Sequence, residues 1–305
     1  MALSFKKRAA ALLAFVLCIS MMMSACAGDG EAQESPAPET PAPIPSPTAA
    51  PRPPLEDVRV YFDGLLSDRG YLAGDTVYLS PEAICAYHGL ELHTESSGES
   101  FTLSLPALDL SGSTELEYMT ANGRYLYVPE GYLEIDGRIY LSAPVLERAL
   151  GLQITLYGEP VCAEVSTLPL NVIRGGENYY DTHVPTEDLY WLSRIIYAEA
   201  KEQPLAGLIG VGSVVLNRVE SDSFPNTVFD VIHDREYTVQ FDPAATGSVK
   251  GEPDELSVIA ACLCFEGYNT VGDSLYFVNP ITGDSSWFES SLTYVTTIGG
   301  HDFYA

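Results

Sequence analysis

Residues 189–219 read LYWLSRIIYAEAKEQPLAGLIGVGSVVLNRV and predict two successive helices. In the first half, apolar residues recur every three or four positions, which is the period of one face of an amphipathic helix. Thr186 and Asp188 are residue types that favour the N-cap and the first turn of a helix. Pro204 prevents this helix from continuing far. The second half is apolar on nearly every side, as in a helix that is buried all round. We therefore expect this helix pair to form the centre of a core.

One carboxylate, Glu199, falls near the end of the first helix and close to the start of the buried one. The C-terminal end of a helix carries partial negative charge, which disfavours ionisation of an acid. Partial burial beside Tyr197 would act in the same direction. Both effects favour a protonated carboxyl that can donate its proton to a leaving oxygen. Many helical glutamates are simply solvated, so these residues alone leave a catalytic role for Glu199 open.

The chain is strongly acidic, with 42 acidic against 15 basic residues and a formal net charge of −27. Its length suits two domains of about 100–200 residues each. A nucleic-acid partner is not expected, because a binder needs a basic face to neutralise phosphates. Solubility is the simplest explanation of the acidity, and weak adhesion to anionic polymers is a second one.

Residues 1–25 predict a lipoprotein signal peptide. A basic group at 6–8 precedes an apolar stretch that is too short for a membrane-spanning helix. The sequence MSAC at 23–26 then resembles a bacterial lipobox, with Met23 where Leu is usual. Lipidation of Cys26 would anchor the protein to the cell membrane, outside the cell and facing the wall. An ordinary cleaved signal peptide is the alternative.

Residues 26–56 predict a linker, because their many prolines and few large apolar side chains cannot bury a core. Among the later cysteines, Cys85 and Cys162 are the only plausible disulfide pair in an exported protein, and whether they are bonded is left open. Cys262 and Cys264 lie two apart on a predicted helix and point away from each other. The histidines are scattered and no nucleotide or metal motif is present, so neither a metal nor a cofactor is expected.

Residues 57–168 carry an internal duplication. VYLS at 77–80 and GLEL at 89–92 match IYLS at 139–142 and GLQI at 151–154, at a constant offset of 62 residues. Each copy predicts a strand, a short helix opened by proline, a glycine and a second strand. This pattern resembles the stalk domain named after the N-terminal domain of copper amine oxidases. The resemblance implies a spacer or a module that binds the wall or a partner; copper is not expected. Residues 169–185 are predicted to link it to residues 186–305.

Residues 186–305 carry a series of short motifs in a fixed order. They are IYAEA at 196–200, Pro204, Gly207, VVLNRV at 214–219, FPNT at 224–227, Gln240-Phe241, Tyr276, Asn279-Pro280 and IGGH at 298–301. This series closely resembles the SleB-type cell-wall hydrolases, which include spore-cortex-lytic enzymes. The resemblance implies a lysozyme-like α+β fold related to lytic transglycosylases, and it places the catalytic glutamate at Glu199. Two departures, at 201–203 and at Ala206, are expected to reshape the sugar cleft.

The chemistry implied by this resemblance is cleavage of the β-1,4 bond between N-acetylmuramic acid and N-acetylglucosamine in peptidoglycan. Most glycosidases need a second carboxylate, and the nearest one in sequence, Glu202, is expected to be solvated. A single acid suffices if the muramoyl C6 hydroxyl attacks internally, so we predict a lytic transglycosylase in which Glu199 is acid and then base. The residues expected to bind sugar are Tyr197, Gln240, Phe241, Tyr276, Asn279 and His301.

The predicted protein is thus an α+β, wall-facing, lipid-anchored enzyme of wall remodelling or spore cortex lysis. A catalytically inactive wall-binding lipoprotein with the same fold is the main alternative. A peptide-cleaving wall amidase would need metal ligands or a Cys–His pair, and neither is evident. The choice between hydrolysis and transglycosylation, the cortex or vegetative wall as substrate, the ligand of the stalk, protein partners and the oligomeric state are left open.

Overall fold

Two β-sheets make up the first half of the structure, a computed structural model that describes residues 53–166, 168–235, 241–281, 283 and 285–305. The strands are β1 (Leu55–Phe62), β2 (Leu65–Ala73), β3 (Thr76–Leu79), β4 (His93–Ser96), β5 (Ser100–Leu105), β6 (Leu108–Ser113), β7 (Tyr118–Ala121), β8 (Arg124–Tyr127), β9 (Leu133–Ile135), β10 (Arg138–Ser142), β11 (Ile154–Tyr157) and β12 (Cys162–Val165). A seven-stranded sheet has the order β11-β12-β1-β2-β3-β10-β9, and β4 to β8 form a five-stranded meander. Side chains from both sheets share one apolar core.

The two copies of the internal duplication meet in the seven-stranded sheet. Its two repeated strands, β3 and β10, pair antiparallel with Leu79 opposite Leu141. They lead into two short helices, α1 (Pro81–Tyr87) and α2 (Ala143–Leu150). Gly89 and Gly151 follow with positive φ angles of 69° and 66°, a backbone conformation that favours glycine after a helix. Both copies therefore have the strand–helix–strand order that the sequence predicts.

The four described cysteines are free thiols, and all are buried. They are Cys85, Cys162, Cys262 and Cys264. The disulfide that the sequence left open between Cys85 and Cys162 is therefore not formed in this structure. Burial raises the pKa of Cys85 to about 11, so this thiol stays protonated at neutral pH and behaves as a small apolar side chain.

Helices dominate the second half of the structure. They are α3 (Tyr179–His183), α4 (Thr186–Ala200), α5 (Leu205–Glu220), α6 (Val228–His233), α7 (Asp242–Thr246), α8 (Glu255–Phe265) and α9 (Ser286–Ser291). Three further strands, β13 (Tyr276–Val278), β14 (Tyr294–Ile298) and β15 (His301–Tyr304), form a small antiparallel sheet of order β13-β15-β14. The mixed α+β class predicted from the sequence is thus observed. In the part of the chain that the structure describes, no helix has both the length and the hydrophobicity to cross a bilayer.

The helix pair predicted from residues 189–219 is present as α4 and α5, and it packs with α8 around one core. The glycines of α5 allow close approach of its neighbours. A Cβ at Gly212 would lie 2.6 Å from the Cys264 Sγ and 2.9 Å from the Ile196 Cδ1, both closer than side chains tolerate. The small residues of this stretch therefore serve helix packing and do not form a ligand-binding loop.

A buried carboxylate, Glu266, joins the two halves of the structure. It follows α8, and its side chain is 1% exposed. Its oxygens accept hydrogen bonds from Arg124 at 2.9 and 2.6 Å, from Arg148 at 2.7 Å and from the Tyr180 hydroxyl at 2.8 Å. Arg124 begins β8 and Arg148 lies on α2, so the paired charges come from opposite sides of the junction.

The segment predicted as a linker, 169–185, is packed into this junction. Ile173 is buried in the core of the first half, and Tyr180 on α3 bonds to Glu266. The described residues of Pro51–Ala305 form one compact unit. The predicted stalk and the C-terminal domain, which the sequence predicts as separate modules, are therefore in direct contact. Similarity of the first half to an amine-oxidase-type stalk stays a prediction.

Candidate active site

Glu199 lies in the last turn of α4, one residue before this helix ends at Ala200. Its side chain is half-buried. The preceding turn, with Ile195 and Ile196, and the following Ala200 are fully buried. The carboxyl group is therefore held by a fixed helix end at the boundary between the core and solvent, as the sequence predicts.

The chain after Glu199 is tied to the small sheet by Gln203. The N–H of Gln203 donates a hydrogen bond to the carbonyl oxygen of Ala200 at 2.8 Å, which holds Gln203 against the end of α4. The Gln203 Oε1 accepts a hydrogen bond from the N–H of Gly300 at 2.6 Å. Gly299, with a φ of +58°, has no room for a Cβ beside Gln203 and Pro204. The β14–β15 turn thus closes tightly on the end of α4.

Asn279 reaches the same turn from the end of β13. Its Nδ2 lies 3.5 Å from the position that a Cβ on Gly300 would take, and its Oδ1 accepts a hydrogen bond from the Ile281 N–H at 3.0 Å. We call Glu199, Gln203, Asn279 and residues 299–300 the candidate cleft. Its polar side chains other than Glu199 are neutral amides, which suit hydrogen bonds to hydroxyl and acetamido groups of a sugar.

Replacing Gln203 by alanine is expected to lower cleavage of glycan by about tenfold. The Gly300 N–H would lose its acceptor, and the β14–β15 turn would be held less firmly against the end of α4. Gln203→Glu keeps an oxygen at the same place, so it should retain most of the activity. Initial rates on purified sacculi measure both variants. Equal rates for Gln203→Ala and wild type would show that this bond does not position the cleft.

Arg218, near the end of α5, organises an aromatic cluster beside the cleft. It is buried, and its Nε donates to the carbonyl oxygen of Leu275 at 2.7 Å. Its guanidinium lies 4.9, 5.1 and 5.3 Å from the ring centres of Phe224, Phe241 and Tyr276. Burial lowers the pKa of Arg218 to about 10, so the group stays charged at neutral pH and fixes the three rings.

Two of the predicted sugar-binding residues do not line the candidate cleft. Tyr197 is two positions before Glu199, and residues two apart on a helix face different sides. Its ring lies 5.6 Å from the Lys201 ammonium instead. Phe241 is 2% exposed, so its ring supports the aromatic cluster from within the core and offers no open face to a sugar.

His301 follows the turn that closes the cleft, but it is buried against Phe277, with ring centres 5.3 Å apart. Burial lowers the pKa of His301 below its ordinary value, and nearby Asp302 partly opposes this shift. The imidazole is therefore neutral at pH 7, and its Nδ1 has no hydrogen-bond partner among the described residues. The predicted Gln240 and Cys26 lie outside the described residues.

The sequence did not predict roles for Gln203 or Trp287 in this region. Trp287 is 54% exposed and its ring centre lies 5.9 Å from that of Tyr276, a predicted sugar-binding residue. Nothing in its local sequence distinguishes it from a surface aromatic. Among the described residues, no three His, Cys, Asp or Glu side chains are grouped so that they could hold a metal ion.

Comparison with known proteins finds a family match in the second half of the chain. The family model described as Cell Wall Hydrolase matches residues 202–304, beginning three positions after Glu199. The spore cortex-lytic enzyme of Bacillus cereus (strain ATCC 14579) is 33% identical over 126 residues, which are 40% of this chain and 47% of that protein. The spore cortex-lytic enzyme of Bacillus subtilis (strain 168) is 31% identical over 116 residues, 38% of this chain and 37% of that protein.

Two solved structures match a similar share of the chain. The catalytic domain of the germination-specific lytic transglycosylase SleB from Bacillus anthracis is 31% identical, and the match covers 41% of this chain and 98% of that domain with a TM-score of 0.37. The SleB catalytic domain of Bacillus cereus is 33% identical, with coverages of 41% and 97% and a TM-score of 0.36. The chain spans less than half the length of the curated relatives it matches.

Proposed function

We propose that this protein cleaves the β-1,4 bond between N-acetylmuramic acid and N-acetylglucosamine in peptidoglycan. One observation carries the proposal: a half-buried carboxyl, Glu199, stands in the last turn of α4, and the loop that follows it is tied by Gln203 to the β14–β15 turn. The sequence similarity to spore cortex-lytic enzymes supports this class of activity.

In the proposed mechanism Glu199 first acts as a general acid. It gives its proton to the glycosidic oxygen as the bond from the muramoyl C1 breaks. The end of α4 disfavours a negative charge, so the helix supports the protonated starting state. The positive charge that develops at C1 in turn stabilises the carboxylate after transfer.

Glu199 then acts as a general base. It takes the proton of the muramoyl C6 hydroxyl while the C6 oxygen bonds to C1, and the product is a 1,6-anhydromuramoyl end. One proton leaves the carboxyl and one returns, so no water is consumed and no second acid is needed. Hydrolysis would require another carboxylate to activate water or to form a covalent intermediate. The nearest one in sequence, Glu202, is exposed.

The products made by the full chain test the proposal. Sacculi from vegetative cells and cortex from spores are incubated with the protein, and the fragments are analysed by mass spectrometry. Anhydromuramoyl ends support lytic transglycosylation, whereas reducing ends mean hydrolysis. Binding without any cleavage would replace the proposal by the alternative, a wall-binding protein that keeps the fold. The more rapidly cleaved of the two materials identifies the substrate.

The proposal includes an anchor at Cys26 and a location outside the cell membrane, since peptidoglycan lies there. A lipid on Cys26 followed by the proline-rich residues 26–56 would hold the enzyme close to the wall. Metabolic labelling with palmitate is expected to mark the wild-type protein and leave Cys26→Ala unlabelled. Equal labelling of both proteins would contradict the anchor and leave the catalytic proposal unchanged.

A further inference from the structure

Trp287 is an exposed indole on a surface that the proposed chemistry does not use. It lies on α9, is 54% exposed, and its nearest ring contacts are Tyr276 at 5.9 Å and Phe288 at 5.3 Å. Both contacts are edge-to-face, with interplanar angles of 73° and 80°. Neither neighbouring ring is stacked parallel to the indole, which stays largely open to solvent.

The position of Trp287 is supported from within the core. Tyr276, which it contacts, lies 6.0 Å from Phe224 and 5.3 Å from the buried Arg218 guanidinium. Arg218 in turn is bonded to the carbonyl oxygen of Leu275, directly before β13. The exposed indole therefore rests on a fixed support, and binding to it requires little ordering of side chains.

The aromatic surface continues the candidate cleft. Tyr276 and Asn279 belong to the same stretch of chain, and three residues of extended strand span about 10 Å. Asn279 contacts the β14–β15 turn, which Gln203 ties to the loop after Glu199, so the chain of contacts from the end of α4 reaches Tyr276 and Trp287 by way of Asn279. A glycan strand that runs along the cleft would reach them with a more distant sugar.

We infer that Trp287, supported by Tyr276, is a stacking platform for an N-acetylhexosamine of the glycan strand, at a subsite distant from Glu199. The inference rests on the proposed function. A pyranose ring presents an apolar C–H face that suits the electron-rich face of an indole. A glycan fits the site better than an anionic membrane does, because the chain carries a net charge of −27 and Glu289 lies on the same short helix.

Tryptophan fluorescence gives a direct test, because the chain has two tryptophans. The other one, Trp191, packs against Phe229 and His233, away from the platform. In the full chain carrying Trp191→Phe and Glu199→Gln, Trp287 is the sole indole and cleavage is suppressed. Titration with the N-acetylglucosamine tetramer is expected to change its emission saturably.

Calorimetry on Trp287→Ala should show about tenfold weaker binding of the tetramer. With Glu199 intact, Trp287→Ala should raise the KM for soluble glycan strands and leave kcat nearly unchanged. Tyr157→Ala is the matched control, because Tyr157 is a 47% exposed aromatic on β11. It should bind the tetramer as wild type does.

Three results would overturn the inference: no binding of the tetramer, binding that leaves Trp287 emission unchanged, or an emission shift with anionic phospholipid vesicles in place of the tetramer. Cleavage of sacculi by the wild-type protein tests the proposed function independently of tetramer binding at Trp287. If sacculi are cleaved and Trp287 does not respond, the platform alone is wrong. If the tetramer quenches Trp287 and sacculi stay intact, the catalytic proposal alone is wrong.

Discussion

Glu199→Gln is expected to lower the rate of glycan cleavage by about a thousandfold or more, since positioned acid–base groups contribute about 10²–10⁴-fold and this side chain serves both steps. Glutamine has nearly the same shape and polarity but cannot donate or accept the proton. Release of anhydromuramoyl fragments from sacculi, followed by mass spectrometry at equal protein concentration, measures the loss.

Glu202→Gln is the control for this experiment. Glu202 has the same side chain, lies three positions later and is exposed, so its replacement should change the rate by less than about threefold. The melting temperatures of both variants should match that of wild type, because neither carboxyl lies deep in the core. Activity of Glu199→Gln within tenfold of wild type would rule out the single-acid mechanism.

Glu266→Ala should destabilise the protein by about 3–5 kcal/mol, the usual cost of removing one partner of a buried ion pair. The carboxylate has a side-chain exposure of 1% and receives hydrogen bonds from Arg124, Arg148 and Tyr180. Without it, two partly buried guanidinium groups at the junction of the halves lose their counter-charge. Urea unfolding followed by circular dichroism measures the change in the free energy of unfolding.

The matched control is Asp57→Ala. Asp57 pairs with Arg69 at 3.7 Å, but both side chains are well exposed, at 65% and 64%. Exposed pairs contribute about 0–1 kcal/mol, so the control should unfold close to wild type. A loss at Glu266 no larger than this would mean that the junction contributes little to stability.

The stability difference between wild type and Glu266→Gln should also depend on pH. Burial raises the pKa of Glu266, but the hydrogen bonds from Arg124, Arg148 and Tyr180 lower it by more, so the net shift is below the ordinary value of 4.5. A carboxyl whose pKa is lowered by folding stabilises the folded state at pH values above its pKa in the unfolded state. This stabilisation is lost as the pH falls through its pKa in the folded state. The difference should therefore be constant from pH 7 to about pH 5 and shrink below about pH 4.5. An unchanged difference at pH 3 would contradict the assigned charge of Glu266.

Local patterns explain why parts of the fold could be predicted. The apolar period of residues 189–219 depends only on helix geometry, so it placed Glu199 correctly in the last turn of α4. Asn-Gly and Asp-Gly pairs are likewise typical of tight hairpin turns, and at Asn122-Gly123 and Asp136-Gly137 all four residues have positive φ.

Long-range contacts explain what could not be predicted. Phe241 is expected to bind sugar, yet its ring is 2% exposed because Arg218 and neighbouring rings surround it. The predicted division into stalk, linker and catalytic domain follows patterns along the chain. Such patterns carry no information about contacts between the predicted units.

By itself, the sequence determined the helix pair, the duplicated strand–helix–strand units and the place of the candidate acid, because each depends on residues within a few turns of chain. Only the tertiary structure decided what surrounds that acid and how the halves meet. Gln203 bonds to Gly300 across 97 residues and Arg124 to Glu266 across 142. Burial and charge pairing at such separations depend on which surfaces pack together, and no local period or turn signal encodes that choice.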